Sequence, residues 1–379
     1  MLRFDGKNID IRRLAFSVGD SDIRLSGSIA DWLEVPRAKM VVESSQIDVQ
    51  SLQLAGSDGS SSSESFPVMR TWWADGSLEA TILVDHAYYE RTLLSGLSCR
   101  ARYEHGTLTI DRISGDTDDG HIGGRVVLNM SERNRRTVRS ALQVSGLPVE
   151  RVLSLIDDQR RVTGWMAARI GIQAEFGQNG VLRSTIKSRR PITIVLERGR
   201  MFYSPVLSKV LSLINLPALL KGKADLTEDG MPVDRMKAVF VVDDGIINLR
   251  EFLLDSPILK ISASGRYDFM DDKFDAVIAV SPLGQYSELL KNVPLFGKLF
   301  AGHRQGFDTA MFEVKGSAKD PHVVYMPAES LMAGAKGTVK LAFDLLANAI
   351  TLPKEAFSMA DEVPVEEDQV QEGARASER

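Results

Sequence analysis

Apolar residues recur at every second position over most of the chain. Ile9 and Ile11, then Leu14, Phe16 and Val18, alternate with polar neighbours. Leu78, Ala80, Ile82 and Val84 repeat the pattern, as do Leu97, Cys99, Ala101 and Tyr103. The longest run is Met166, Ala168, Ile170, Ile172, Ala174 and Phe176. Met236, Ala238, Phe240 and Val242 follow, then Phe274, Ala276, Ile278 and Val280. A period of two puts one apolar and one polar face on an extended strand. Turn pairs separate the runs: Asp75-Gly76, His105-Gly106, Asn179-Gly180, Asp229-Gly230, Asp244-Gly245 and Asp271-Asp272. Such pairs favour tight hairpins because the turn needs positive φ. The pattern predicts an antiparallel meander over about residues 1–325.

Within the meander a unit recurs. Ile9-x-Ile11-x-x-Leu14 leads to Gly27, Leu108-x-Ile110-x-x-Ile113 to Gly124, and Ile247-x-Leu249-x-x-Phe252 to Gly265. The glycine follows the second apolar residue by 16, 14 and 16 positions. A short stretch of helical spacing comes after each copy, at 47–52, 147–156 and 283–290. Longer helical spacing marks 204–220, where Ser204 is a candidate N-cap and Pro205 suits the first turn. It also marks 285–300, interrupted by Pro294, and 331–352, which carries Lys336, Lys340 and Asp344 along one face. Gly56–Ser65 is a serine-rich linker, and 354–379 an acidic tail of disordered composition. The expected divisions are a β-repeat segment at 1–55, the linker at 56–66, further repeats at 67–195, a C-terminal unit at 196–328, the helix at 329–353 and the tail.

Composition narrows the function. The 379 residues are 44% apolar and 26% charged, a globular balance, and the net charge of −5 argues against a nucleic-acid partner. One cysteine, Cys99, excludes an intrachain disulfide or a multi-cysteine zinc site. His86, His105, His121, His303 and His322 form no close pair in sequence and read as structural or surface residues. Asp116-Thr-Asp118-Asp119-Gly120 resembles a calcium loop only in part, because its twelfth position is Val127 rather than glutamate. Arg133, Arg135, Arg136 and Arg139 read as a wet strand connection rather than a headgroup site, and Trp72-Trp73 as strand-edge packing. No nucleotide-binding glycine loop, nucleophile elbow or metalloprotease motif is present. The expectation is a non-enzymatic protein without cofactor or metal. The N-terminus shows no apolar signal core, and its abrupt start in a strand pattern suggests a longer protein.

Many strands with one oily face and few helices must close into a barrel, pair with another sheet, or hold something apolar. Aromatic content of 7% provides no girdles for an outer-membrane barrel. A groove holding acyl chains satisfies the pattern. Its candidate lining is Ile170, Ile172, Phe176, Phe240, Val242, Ile261, Phe274, Ile278 and Val280; the bland alternative for each is ordinary core. The helices at 204–220, 285–300 and 331–352 are candidates for membrane-surface contact or for capping the groove end, with capping the blander and favoured reading for the first two.

Over residues 196–327 the chain resembles the C-terminal region of AsmA-like proteins, the group of AsmA, TamB and YhdP. The resemblance rests on the order of LERGRMFYSPVLSKVLSLINLPALLKG, DDGIINLREFLLDSPILKISASGRYDF, DDKFDAVIAVSPLGQYSELLKNVPLFGKLFAG and FEVKGSAKDPHVVYMP. It implies a mainly β protein: an elongated, twisted antiparallel β-groove of repeated hairpins, with a few amphipathic helices near the C-terminus. It also implies a periplasmic, inner-membrane-associated setting. The partners implied are phospholipids, a membrane surface, and an inner-membrane-anchored or outer-membrane protein. The function implied is lipid movement between the two membranes, and the alternative is an assembly factor that pairs client strands at its sheet edge. The chain departs from the family in lacking an N-terminal membrane helix and much of the usual length.

Overall fold

The computed structural model describes residues 2–48, 75–89, 92–117, 120–132, 135–153, 162–176, 186–202, 205–213, 230–283 and 309–326. Over the described residues the protein is mainly β, one large sheet of 18 strands. In chain order they are β1 (Leu2–Asp5), β2 (Asn8–Val18), β3 (Ser21–Ala30), β4 (Arg37–Asp48), β5 (Ser77–Tyr89), β6 (Thr92–Glu104), β7 (Thr107–Asp116), β8 (His121–Glu132) and β9 (Arg135–Pro148). They continue as β10 (Val162–Phe176), β11 (Lys187–Ser188), β12 (Ile192–Met201), β13 (Met231–Asp243), β14 (Ile246–Asp255), β15 (Leu259–Asp268), β16 (Lys273–Pro282), β17 (Ala310–Gly316) and β18 (Pro321–Met326). Two helices are described, α1 (Val149–Leu153) and α2 (Pro205–Leu213).

Strands pair with their neighbours in sequence, with the two-residue β11 lying beside β12 between β10 and β13. Local hairpins make this order possible. His105-Gly106 and Asp244-Gly245 both carry positive φ at each residue, and they join Glu104 to Thr107 and Asp243 to Ile246 across two-residue turns. One joint departs from the expected antiparallel meander. β4 and β5 run parallel, with Arg37 beside Ser77 and Asp48 beside Tyr88. A parallel pair needs a crossover of a dozen or more residues, and residues 49–76 supply the length. The serine-rich linker lies in that connection, outside the described residues.

The three sequence repeats are structural repeats. Ile11 and Leu14 of β2 face Gly27 and Leu25, so three positions on one strand oppose two on the other. Ile110 and Ile113 face Val126 and Gly124 in the same way, and Leu249 and Phe252 face Gly265 and Ala263. Each unit therefore contains one β-bulge. The glycines hold nearly the same backbone angle, φ 148°, 150° and 153° at Gly27, Gly124 and Gly265. A Cβ would collide at each; at Gly265 it would stand 2.4 Å from the Ala276 Cα. The second copy is shifted by two residues along the glycine strand, since Gly124 lies opposite Ile113 after the bulge, and Val126 rather than a glycine faces Ile110 before it. That shift is the shorter spacing seen in the sequence.

The expected helices are partly placed. The 204–220 segment yields α2 at 205–213, and 147–156 yields α1 at 149–153. The segments at 285–300 and 331–352, the acidic tail, and most of 47–52 lie outside the described residues. The 195/196 division falls inside β12, so the sheet runs through it without a break. No helix among the described residues is long and apolar enough to cross a membrane.

Candidate functional site

Register assembles the candidate surface. Ile11, Gly27, Met40, Ala80 and Ala101 lie side by side from β2 to β6. The same row continues through Ile110, Val126 and Ser140 to Ile172 of β10. Four residues back along β10, Ala168 starts a parallel row through Ile194, Ala238, Phe252, Ala263, Ile278 and Phe312 to Tyr325 of β18. Side chains of like parity share a face. One face, apolar at nearly every position, therefore runs unbroken from one edge of the sheet to the other.

All nine candidate lining residues lie on that face. Ile170, Ile172 and Phe176 share it on β10, and Phe240 and Val242 on β13. Ile261 of β15 lies opposite Val280 of β16, whose Phe274 and Ile278 have the same parity. They differ in what stands over them. Ile261 and Val280 are buried in one cluster with Val210 and Leu211 of α2 and Val149 of α1, and Ile170 and Ile278 pack against that cluster. The cluster also takes Met166, Leu196, Leu254, Leu259 and Phe312, all at one end of their strands. There the face is sealed by the protein's own helices. Lys209 of α2 fastens this cover, donating to Asp320 Oδ1 at 2.5 Å and to the Pro321 carbonyl at 2.8 Å beside β18.

Ile172, Phe176, Phe240 and Phe274 lie toward the other end of the strands and stay half-buried, while Val242 beside them is buried. Across β3–β8 the larger residues of the face are mostly half-exposed over small buried ones such as Ala38, Ala80 and Ala101. At β1 and β2 the face is open: Leu2, Phe4, Leu14 and Phe16 are 47%, 65%, 40% and 42% exposed. Helical spacing at 204–220 marks a candidate cap for the groove end, and α2, inside that segment, packs over this end of the face; which lining residues lie beneath it is set only in three dimensions.

The far end is braced by polar contacts. Asp272, in the β15–β16 turn, accepts from the Tyr267 hydroxyl at 3.0 Å, the Ser317 hydroxyl at 2.5 Å and the Ala318 N–H at 3.0 Å. The Ser317 and Ala318 bonds lead in holding its carboxyl below the usual value. Tyr267 also stacks on Phe274, with ring centroids 4.5 Å apart. At the N-terminal end Asp22 accepts the N–H groups of Ser45 and Gln46 at 2.9 and 2.8 Å, and the Gln46 bond leads in lowering its pKa.

Groups with reactive chemistry are scattered. Cys99 sits half-buried on the apolar face opposite Ile82, its thiol pushed up first by burial and then by the charge of Asp111. His121 Nδ1 lies 2.8 Å from Asp116 Oδ1 on an exposed hairpin. Arg136 and Arg139 are exposed on β9. Trp72, Trp73, Asp118, Asp119, Arg133 and His303 lie outside the described residues. Among the described residues no group of three or more His, Cys, Asp or Glu side chains could hold a metal ion. Compared with known proteins, the chain matches no family model, no curated protein and no solved structure.

Proposed function

We propose that the chain is a non-enzymatic lipid-handling protein of the AsmA-like kind, working in the periplasm of a double-membrane envelope beside the inner membrane. Its apolar face forms a groove that holds phospholipid acyl chains while the headgroups stay in water, and it carries lipid between inner and outer membranes. The observation that supports this reading is the edge-to-edge apolar face, which α1 and α2 seal at one end and which stands open at β1–β2. The scale suits the task. Each methylene moved out of water is worth about 0.8 kcal/mol, so two acyl chains need on the order of 20 kcal/mol of apolar contact. Some sixteen strand spacings give a path of roughly 75 Å, several times a single leaflet's hydrocarbon depth of about 15 Å. In this reading Ile172, Phe176, Phe240, Val242 and Phe274 contact acyl chains, while Ile170, Ile261, Ile278 and Val280 form the plugged end. An anchored inner-membrane protein or an outer-membrane partner holds the chain in place.

Mass spectrometry of the protein purified without detergent tests the proposal. Co-purified phospholipid is expected. Ile172→Asp reduces it several-fold, and Arg139→Glu, on the opposite face, leaves it unchanged. A second reading rests on the open edges, since β1 pairs only with β2 and β18 only with β17 among the described strands. Such edges can accept a client strand. No bound lipid, together with crosslinks from β1 or β18 to a client protein, overturns lipid handling in favour of strand pairing.

A further inference from the structure

The second face of the sheet carries a charge pattern of its own. Across β13–β17 basic and acidic residues are matched: Lys237 with Glu251 at 3.4 Å, Lys260 with Asp255 at 3.6 Å, Arg266 with Asp275 at 3.3 Å and Lys315 with Glu313 at 2.6 Å. Across β6–β10 they are not. Arg100, Arg102, Arg125, Arg139 and Arg169 are all out of step with the apolar face, so they share the second one. Asp111, opposite Arg100, is the one carboxylate in the middle of these strands, and it pairs with Arg102. Glu104, Asp116, Glu132 and Glu175 occupy the last or second-last positions of their strands. Among the described residues Arg100, Arg125, Arg139 and Arg169 form no ion pair. Register also gives the patch a low floor. Arg125 lies beside Ala141, Ala141 beside Gly171, Arg139 beside Gln173, and Arg169 beside Gln143. A Cβ at Gly171 would meet nothing nearer than the Ser140 carbonyl oxygen at 3.8 Å. Arg125 and Arg139 stand exposed around this dip, and Arg169 is half-buried at its margin.

We propose that this patch docks an extended segment of a partner protein rich in Asp and Glu. Guanidinium groups match carboxylates through paired N–H···O bonds, and a cluster of them without its own acids attracts that chemistry. Arg125 and Arg139 are one strand and two residues apart, roughly 8 Å, and side chains on one side of an extended segment repeat about every 7 Å. A segment crossing the dip therefore brings successive carboxylates to successive arginines, with the Gln143 and Gln173 amides beside them. Shape favours a chain over a bilayer surface. Neighbouring strands rotate by about 20–25°, so the four steps from β6 to β10 turn the patch through roughly 80–100°. A flexible segment can follow that turn, and a plane cannot. The patch lies behind the apolar face, so the inference stands apart from lipid handling and both faces can be occupied together.

Fluorescence anisotropy of a labelled decaglutamate peptide, titrated with the full chain, tests the patch. Binding is expected at low salt and weakens as salt rises, because the pairs it forms are exposed. Arg125→Thr and Arg139→Thr combined weaken it about tenfold or more, and threonine keeps a strand-forming residue at each site. Arg266→Thr, at an ion-paired position of the same face on β15, leaves it unchanged. Asp111→Asn supplies a gain that no folding defect imitates: it releases Arg102 and tightens binding about two- to fivefold. Absence of decaglutamate binding, equal binding by the double variant, or no gain from Asp111→Asn overturns the proposal. So does tighter patch-dependent binding to vesicles of phosphatidylcholine with about a third phosphatidylglycerol, which would make the partner a membrane surface.

Discussion

At the residue scale, Phe312 and Gly265 hold the third repeat in opposite ways, one by filling space and the other by leaving it. Phe312 is 1% exposed and meets Tyr325 edge-on at 5.9 Å within the α2 cluster. Phe312→Ala is expected to cost about 3–5 kcal/mol, from lost burial and a cavity the sheet cannot close. Gly265→Val is expected to cost roughly 2–4 kcal/mol, because its backbone angle and the nearby Ala276 leave no room for a side chain. Urea unfolding of each variant measures both. Asp272 gives a pH signature. Its carboxyl is held below the ordinary value in the folded chain, so its contribution is complete above about pH 4 and is lost as pH falls through the lower folded value. Asp272→Asn therefore destabilises at pH 6, and the difference from the parent protein shrinks steadily as pH falls below about 4, which unfolding midpoints over that pH series will show. The repeat glycines were legible as residues; the collisions that require them depend on a neighbouring strand and were not.

At the element scale, periodicity worked where contacts are local. Strands alternate by their own geometry, and hairpins form between adjacent segments, so β5–β10 and β13–β16 could be read from runs and turn pairs. The bulge in each repeat was also written in the chain, as the two-residue gap between Ile11 and Leu14 and its counterparts. Two things were not legible. The parallel pairing of β4 with β5 depends on how a long connection returns, and alternation is the same in either direction. The burial of Ile261 and Val280 beneath α2 depends on a helix some fifty residues or more away in sequence, so a periodic strand could not tell groove from core. The candidate surface was thus found as a face with a candidate cap at 204–220, and which of its residues lie beneath that cap was not. Cys99 can report on that division. Its raised thiol pKa and half-buried place on the open part make alkylation slow at neutral pH. Loading with phospholipid is expected to slow alkylation several-fold more, followed by intact-mass kinetics, and equal rates with and without lipid count against acyl chains at β5–β7.

For the whole molecule, the β4–β5 connection sets a length requirement. β4 has 12 residues, so a chain returning along it must cover about 40 Å. A connection cut to fewer than about ten residues cannot reach, whereas one of fifteen can. The short form is expected to lose hydrogen-exchange protection in β1–β5, and the longer form to keep it. A short connection that preserved protection would contradict the parallel register.

That parallel joint governs the phase of the whole array. With antiparallel steps throughout, the opening strand of the first repeat, β2, would run against its counterparts β7 and β14. A single parallel step restores agreement, and all three bulged openers point the same way with Ile11, Ile110 and Leu249 on one side. Kinks that agree in direction and side add their bends instead of cancelling them. One reversal in chain polarity thus gives three separate distortions the same direction and the same side.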